Sequence, residues 1–138
     1  MPQQPDSHTD ERAGGCLCGQ VRYRLWGEPI NVRVCHCDLC RKALGGPYFA
    51  RALVPRDQLE ITGETARYAS SPRLTRVFCP NCGTTLFGER TADPITAVGI
   101  ATLDDPNAFI PECHMFVDFK LDFVTLDPAT PQYPRWAP

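Results

Sequence analysis

Residues 78–87 read Phe78-Cys79-Pro80-Asn81-Cys82-Gly83-Thr84-Thr85-Leu86-Phe87. Two thiols two residues apart, followed by a glycine and flanked by strand-forming residues, describe a metal knuckle at the tip of a β-hairpin. Residues 74–78 lead into the knuckle and 84–87 lead out, and an ion held there replaces the usual turn residues in pinning strand register. Gly83 supplies the permissive backbone that such a tight turn requires. A knuckle is half a site, because Zn2+ takes four thiolate or imidazole ligands in a tetrahedron. The partner half is Cys16-Leu17-Cys18. Cys16, Cys18, Cys79 and Cys82 are therefore expected to hold a structural zinc. With 60 residues between Cys18 and Cys79, that ion ties the start of the fold to its middle and couples metal affinity to folding.

The chain has eight cysteines. Three more form Cys35-His36-Cys37-Asp38-Leu39-Cys40, and three thiolates with a fourth position left open are the ligand pattern of a catalytic zinc. Two zinc ions per chain are thus expected. The rival reading is a second closed structural site, with His36, Asp38, Cys113 or His114 as fourth ligand. His36 is the poorest of these, since in an extended C-x-C its side chain points away from its neighbours'. Four disulfides would demand an oxidising compartment, and nothing in the sequence suggests export. A disulfide oxidoreductase built on Cys79 and Cys82 is disfavoured, because that C-x-x-C lies in a hairpin and not at a helix N-terminus.

The rest of the composition frames these sites. At 138 residues, 43% hydrophobic and 22% charged, the chain has the size and character of one globular domain. A net charge of −2 and a pI near 5.9 argue against nucleic acid or an anionic membrane as partner. No apolar run approaches the roughly 20 residues that span a bilayer, and residues 1–15 lack the apolar segment of a signal peptide, so a cytoplasmic protein is expected. Fourteen prolines and ten glycines favour short strands over long helices. Residues 1–13 read as a disordered arm and 14–138 as a single domain. Alternation predicts strands over 20–25 and 30–34, then a helical turn or two over 38–44 ended by Gly45-Gly46-Pro47, and a strand over 48–54. A hairpin is expected from 59–62 and 66–69 around Gly63-Glu64, a buried strand over 95–101, and short elements over 112–119 and 121–126. The fold class is mostly β, with short antiparallel strands and little helix.

Three blocks, Gly14-Gly15-Cys16-Leu17-Cys18-Gly19-Gln20-Val21-Arg22-Tyr23, then CHCDLCRKALGGPY from Cys35 to Tyr48, then Phe78 to Phe87, together resemble the glutathione-dependent formaldehyde-activating enzymes and their centromere-protein-V-like relatives. The resemblance implies a β-tent type fold with two zinc sites, divided among the cysteines as above. It also implies a carbon–sulfur lyase reaction, in which glutathione adds to formaldehyde to give S-hydroxymethylglutathione. The family's C-terminal His followed by apolar or aromatic residues corresponds to His114-Met115-Phe116, while Cys113 lies outside the pattern and the tail is poorer in tryptophan.

Zinc held by Cys35, Cys37 and Cys40 suits such chemistry, since thiolate is the nucleophile where thiol is not. Basic residues must hold the tripeptide's carboxylates. Arg41 and Lys42, next to Cys40, are the first candidates, with Arg33, Arg51 and Arg76 behind them. His114 is the candidate acid or base. The alternative is a non-catalytic zinc-stabilised β module that binds a protein partner. A further variant keeps the enzyme and changes the thiol or the carbonyl compound.

Overall fold

A computed structural model of the chain describes residues 11–138. Among the described residues, ten short strands build two sheets, accompanied by one α-helix. The smaller sheet has the order β1-β2-β5, from β1 (Arg12–Gly15), β2 (Arg22–Leu25) and β5 (Leu59–Thr62). The larger has seven strands in the order β10-β3-β4-β9-β8-β7-β6. Its members are β3 (Asn31–Cys35), β4 (Phe49–Pro55), β6 (Ala66–Ser71), β7 (Leu74–Phe78), β8 (Thr85–Arg90), β9 (Ile95–Gly99) and β10 (Cys113–Met115). The helix α1 (Asp38–Leu44) follows β3 directly and stops at Gly45, whose φ of 74° closes it in the left-handed region.

The period-two pattern is expressed as burial. In β2, Arg22 and Arg24 face outward while Tyr23 and Leu25 are buried. β4 lies between β3 and β9, and its run Ala52-Leu53-Val54 is buried throughout, as a central strand covered on both faces requires. The main core gathers Val21, Tyr23 and Leu25 from one side and Val54, Leu86, Phe87 and Val98 from the other. Tyr23 meets Phe87 edge-on with ring centroids 5.1 Å apart. A second, smaller core joins Cys35, Cys40, Phe49, Leu53, Ala97, Cys113 and Met115. It forms the floor beneath the three-cysteine group.

Four expectations change. Arg12 and Ala13 belong to β1 and pair with Leu25 and Arg24, so the ordered domain starts earlier than residue 14; residues 1–10 of the expected arm lie outside the described residues. The segments 59–62 and 66–69 do form strands but not a hairpin: β5 pairs with β2, and β6 pairs with β7. Gly63, at φ 95° and tight against the Gln20 backbone, is where the chain leaves one sheet for the other. One pairing is parallel, β10 with β3, which sets Met115 beside Cys35. Residues 121–126 carry no strand or helix.

Candidate metal centres and the cleft beside them

All eight cysteines are free thiols. Two groups of them converge: Cys16, Cys18, Cys79 and Cys82, and separately Cys35, Cys37 and Cys40, with the sulfur atoms of each group within 4.8 Å of one another. A tetrahedral zinc with sulfurs at about 2.3 Å needs sulfur–sulfur separations of about 3.8 Å. Cys16 Sγ lies 3.6 Å from Cys18 Sγ, and Cys18 Sγ lies 3.8 Å from Cys79 Sγ. The donor set therefore fits the ion in size and in chemistry.

Local backbone geometry positions the first group. The Cys79 N–H donates to the Thr84 carbonyl (3.0 Å) and the Gly83 N–H to the Cys79 carbonyl (2.8 Å), with Gly83 at φ 81°. Amides of Asn81 and Cys82 point at Cys79 Sγ (3.3 and 3.4 Å), and the Val21 amide at Cys16 Sγ (3.3 Å). Such N–H groups stabilise sulfur in its anionic form. Thr84 Oγ1 accepts from the Leu17 N–H (3.1 Å) and lies 3.3 Å from Cys82 Sγ, joining the two halves. That contact helps bring the Cys82 thiol down to about 5.

The second group sits at a strand-to-helix corner. Cys35 ends β3, Cys37 caps α1 by accepting from the Cys40 N–H (3.4 Å), and Cys40 is buried in the first turns of α1. Cys35 Sγ lies 3.3 Å from Cys37 Sγ. Hydrogen bonds from Cys35 and Cys40 hold the Cys37 thiol down at about 2, while the bond to Cys37 pushes the Cys35 thiol up. Ionisation within the trio thus falls first on Cys37. Among the described residues, no His, Asp, Glu or further Cys completes this group as a fourth ligand. Cys113 is buried in the floor, its thiol raised by burial. His36 is fully buried with Nε2 3.0 Å from His114 Nδ1, and burial first, then His114, takes its imidazole down to about 4.

The open side of the trio faces a cleft of about 590 Å3. Cys35, Cys37 and Cys40 line it together with four arginines, Arg51, Arg73, Arg76 and Arg90. Phe116, Phe119 and Trp136 form an aromatic wall, with Trp136 edge-on to Phe116 at 4.9 Å and Arg73 over the Trp136 ring at 5.7 Å. Phe116 carries φ 56°, a conformation uncommon outside glycine that turns the chain after β10.

Only part of the basic set expected at the site is found there, Arg51 and Arg76. Neither Arg41 nor Lys42 lines the cleft. Successive helix positions are turned by about 100°, so residues following Cys40 in α1 leave its face; Arg41 Nε donates to the His36 carbonyl (3.4 Å) and Lys42 is exposed. Arg33 is engaged by Glu112 (3.5 Å) and the Pro138 carbonyl (3.1 Å). His114 alternates with Met115 along β10, and it pairs with His36 while Met115 lines the cleft. Arg51 and Arg76 were reserve candidates. Arg73 and Arg90 were missed, although the knuckle's register gives their proximity: Leu74 pairs with Arg90, and the Thr91 N–H donates to the Arg73 carbonyl.

The family described as glutathione-dependent formaldehyde-activating enzyme matches residues 11–119, a span that contains both cysteine groups. This chain belongs to that family. A Halomonas elongata relative named "Putative glutathione-dependent formaldehyde-activating enzyme" is 30% identical over 125 residues, covering 83% of this chain and 80% of its own. An "Uncharacterized lyase" of Schizosaccharomyces pombe is 34% identical over 77 residues, covering 56% of each, so the match spans about half the length of that relative. A Rhodobacter sphaeroides protein of known crystal structure shares the fold, with a TM-score of 0.57 at 20% identity over 88% of this chain and 98% of its own. Among the described residues no helix is long and apolar enough to cross a membrane.

Proposed function

We propose that this chain is a zinc-dependent carbon–sulfur lyase that joins the thiol of glutathione to formaldehyde and gives S-hydroxymethylglutathione. One observation carries the reading: among the described residues, the three-cysteine group has no fourth protein ligand on the side that opens into an arginine-lined cleft. Family membership supports the choice of thiol and carbonyl compound. Cys16, Cys18, Cys79 and Cys82 would hold one zinc for the fold, and Cys35, Cys37 and Cys40 a second for the reaction. A zinc ion held by Cys35, Cys37 and Cys40 would supply an open coordination position and would lower the pKa of a thiol bound there.

The chain's own residues do the rest. Arg73 and Arg90, the more exposed of the four arginines lining the cleft, take the tripeptide's carboxylates through charge-assisted hydrogen bonds. Phe116, Phe119 and Trp136 cover its backbone, and a cleft of about 590 Å3 is within the usual range for small-molecule sites. Phe49 and Met115 keep the floor dry, which strengthens every charge interaction above it. The thiol proton leaves to cleft water. A sulfur lone pair forms the new carbon–sulfur bond, the carbonyl π pair moves onto oxygen, and a proton from water completes the hydroxyl, with no change of oxidation state. His114 acts as a support for the buried His36 and takes no part in proton transfer. Eight free thiols suit a cytoplasmic setting, where glutathione is reduced.

The test follows formation of the adduct by exchange NMR, with the zinc-loaded full chain, glutathione and formaldehyde. The expected result is acceleration over the uncatalysed addition that disappears in Cys40→Ser. A fully metallated chain that gives no acceleration would contradict the reading.

A further inference from the structure

Two arginines beside the three-cysteine group are buried: Arg76 is 5% exposed and Arg51 is 7% exposed. Burying a guanidinium is costly unless an opposite charge accompanies it. Among the described residues, the ion pairs to carboxylates are all made by other arginines. The group that Arg76 meets instead is sulfur, with Nη2 donating to Cys40 Sγ (3.5 Å).

The rest of the guanidinium is held in place. Arg76 Nε donates to Ser70 Oγ (3.1 Å), Ser70 Oγ donates to the Leu74 carbonyl (3.3 Å), and the fork lies 5.8 Å from the Phe49 ring centroid. Ser70 sits where the pairing of β6 with β7 shifts register, between Ala69 and Ser71. Arg76 Nη1 is buried with no hydrogen-bond partner. Arg51 donates from Nη1 to Asn31 Oδ1 and lines the same cleft.

We propose that Arg76, with Arg51 beside it, is a positioning residue that balances the charge of the three-cysteine group, so that its open position takes an anion. This rests on reading that group as the reactive metal site. Three thiolates and a divalent zinc sum to −1, and two guanidiniums bring the buried ensemble to +1. A neutral fourth ligand, water or a carbonyl oxygen, leaves that excess uncompensated. A thiolate cancels it. The arginines therefore select which reactant occupies the open position: sulfur in its anionic form, leaving the carbonyl compound unbound by metal.

The test uses the full chain loaded with Co2+, whose absorption reports coordination, and titrates it with azide, an anion that is not a thiol. The wild-type protein should bind azide at the three-cysteine site. Arg76→Met should weaken that binding by about tenfold or more with Co2+ content unchanged, and Arg76→Lys, which restores charge without the fork, should recover most of it. Arg51→Met should act in the same direction and carries the test if Arg76→Met does not fold. Unchanged azide affinity in the Met variants, or no azide binding by the wild-type protein, would overturn the proposal. Glutathione in place of azide separates the two readings: azide binding that depends on Arg76, with no spectral response to glutathione, would sustain the arginine assignment and sink the proposed reaction.

Discussion

At the scale of single residues, the site is defined by which cations reach the cleft. Arg73 and Arg90 line it, and Arg41, although adjacent to Cys40 in sequence, does not. Arg73→Ala and Arg90→Ala should each raise the KM for glutathione about tenfold while kcat stays within a few fold, the pattern of lost uniform binding. Arg41→Ala should leave KM unchanged. Steady-state kinetics at fixed formaldehyde decides between the two sets, and a KM that responds to Arg41 instead would return the carboxylate contact to α1. His114 makes a different prediction. Its removal strands His36 Nε2 in a fully buried place, so His114→Ala should lower stability by about 1–3 kcal/mol and retain turnover per bound zinc. Denaturant unfolding and metal analysis on one preparation measure both, and a stable, fully metallated but inactive variant would make His114 catalytic.

Elements join distant parts of the chain, and one buried tyrosine reports their packing. Tyr23 of β2 is 1% exposed and shares a 2.7 Å hydrogen bond with Thr102 Oγ1, and burial raises its hydroxyl to about 12. Because the folded value lies above the ordinary one near 10, this contribution to stability is complete below about pH 10 and is lost as pH rises toward 12. Stability measured against pH should fall across that window, and Tyr23→Phe should flatten part of the fall at a cost of about 1 kcal/mol for the lost hydrogen bond. An identical slope in both proteins would mean that the hydroxyl ionises freely. The elements also show what a sequence encodes locally. The β7–β8 hairpin and α1 are legible because their signals lie within them: the CPNCG knuckle in one, a Cys37 cap and Gly45 stop in the other. The expected 59–69 hairpin is not formed, because each strand has a better distant partner. β5 sets Ile61 opposite Tyr23 and Leu59 opposite Leu25, while β6 extends the hairpin that carries Cys79 and Cys82. The parallel joining of β10 to β3 links residues about 80 positions apart, and short-range alternation carries no information on it.

For the molecule as a whole, the four-cysteine group brings the first strands against the central hairpin, where a bound zinc would cross-link them. Structural zinc contributes about 10–16 kcal/mol in small metal-dependent folds, as much as the net stability of an ordinary domain. Strong chelation should therefore abolish the cooperative thermal transition and the native circular dichroism, and a metal-free chain that melts as before would show that the sheets stand alone. The cysteine partition was readable from spacing alone because close pairs of thiols reach one ion from a short stretch of backbone. The cleft was not, since its arginines and aromatics come from three strands (β4, β7 and β8), the turn between β6 and β7, and the segment after β10. On the proposed function, one cysteine group is closed and the other open to a thiol. Zinc analysis with X-ray absorption at the zinc edge, before and after excess glutathione, tests it directly. Two zinc ions per chain are expected, one unchanged and one gaining a fourth sulfur when glutathione is added; two ions whose coordination glutathione leaves untouched would mean that both groups are closed.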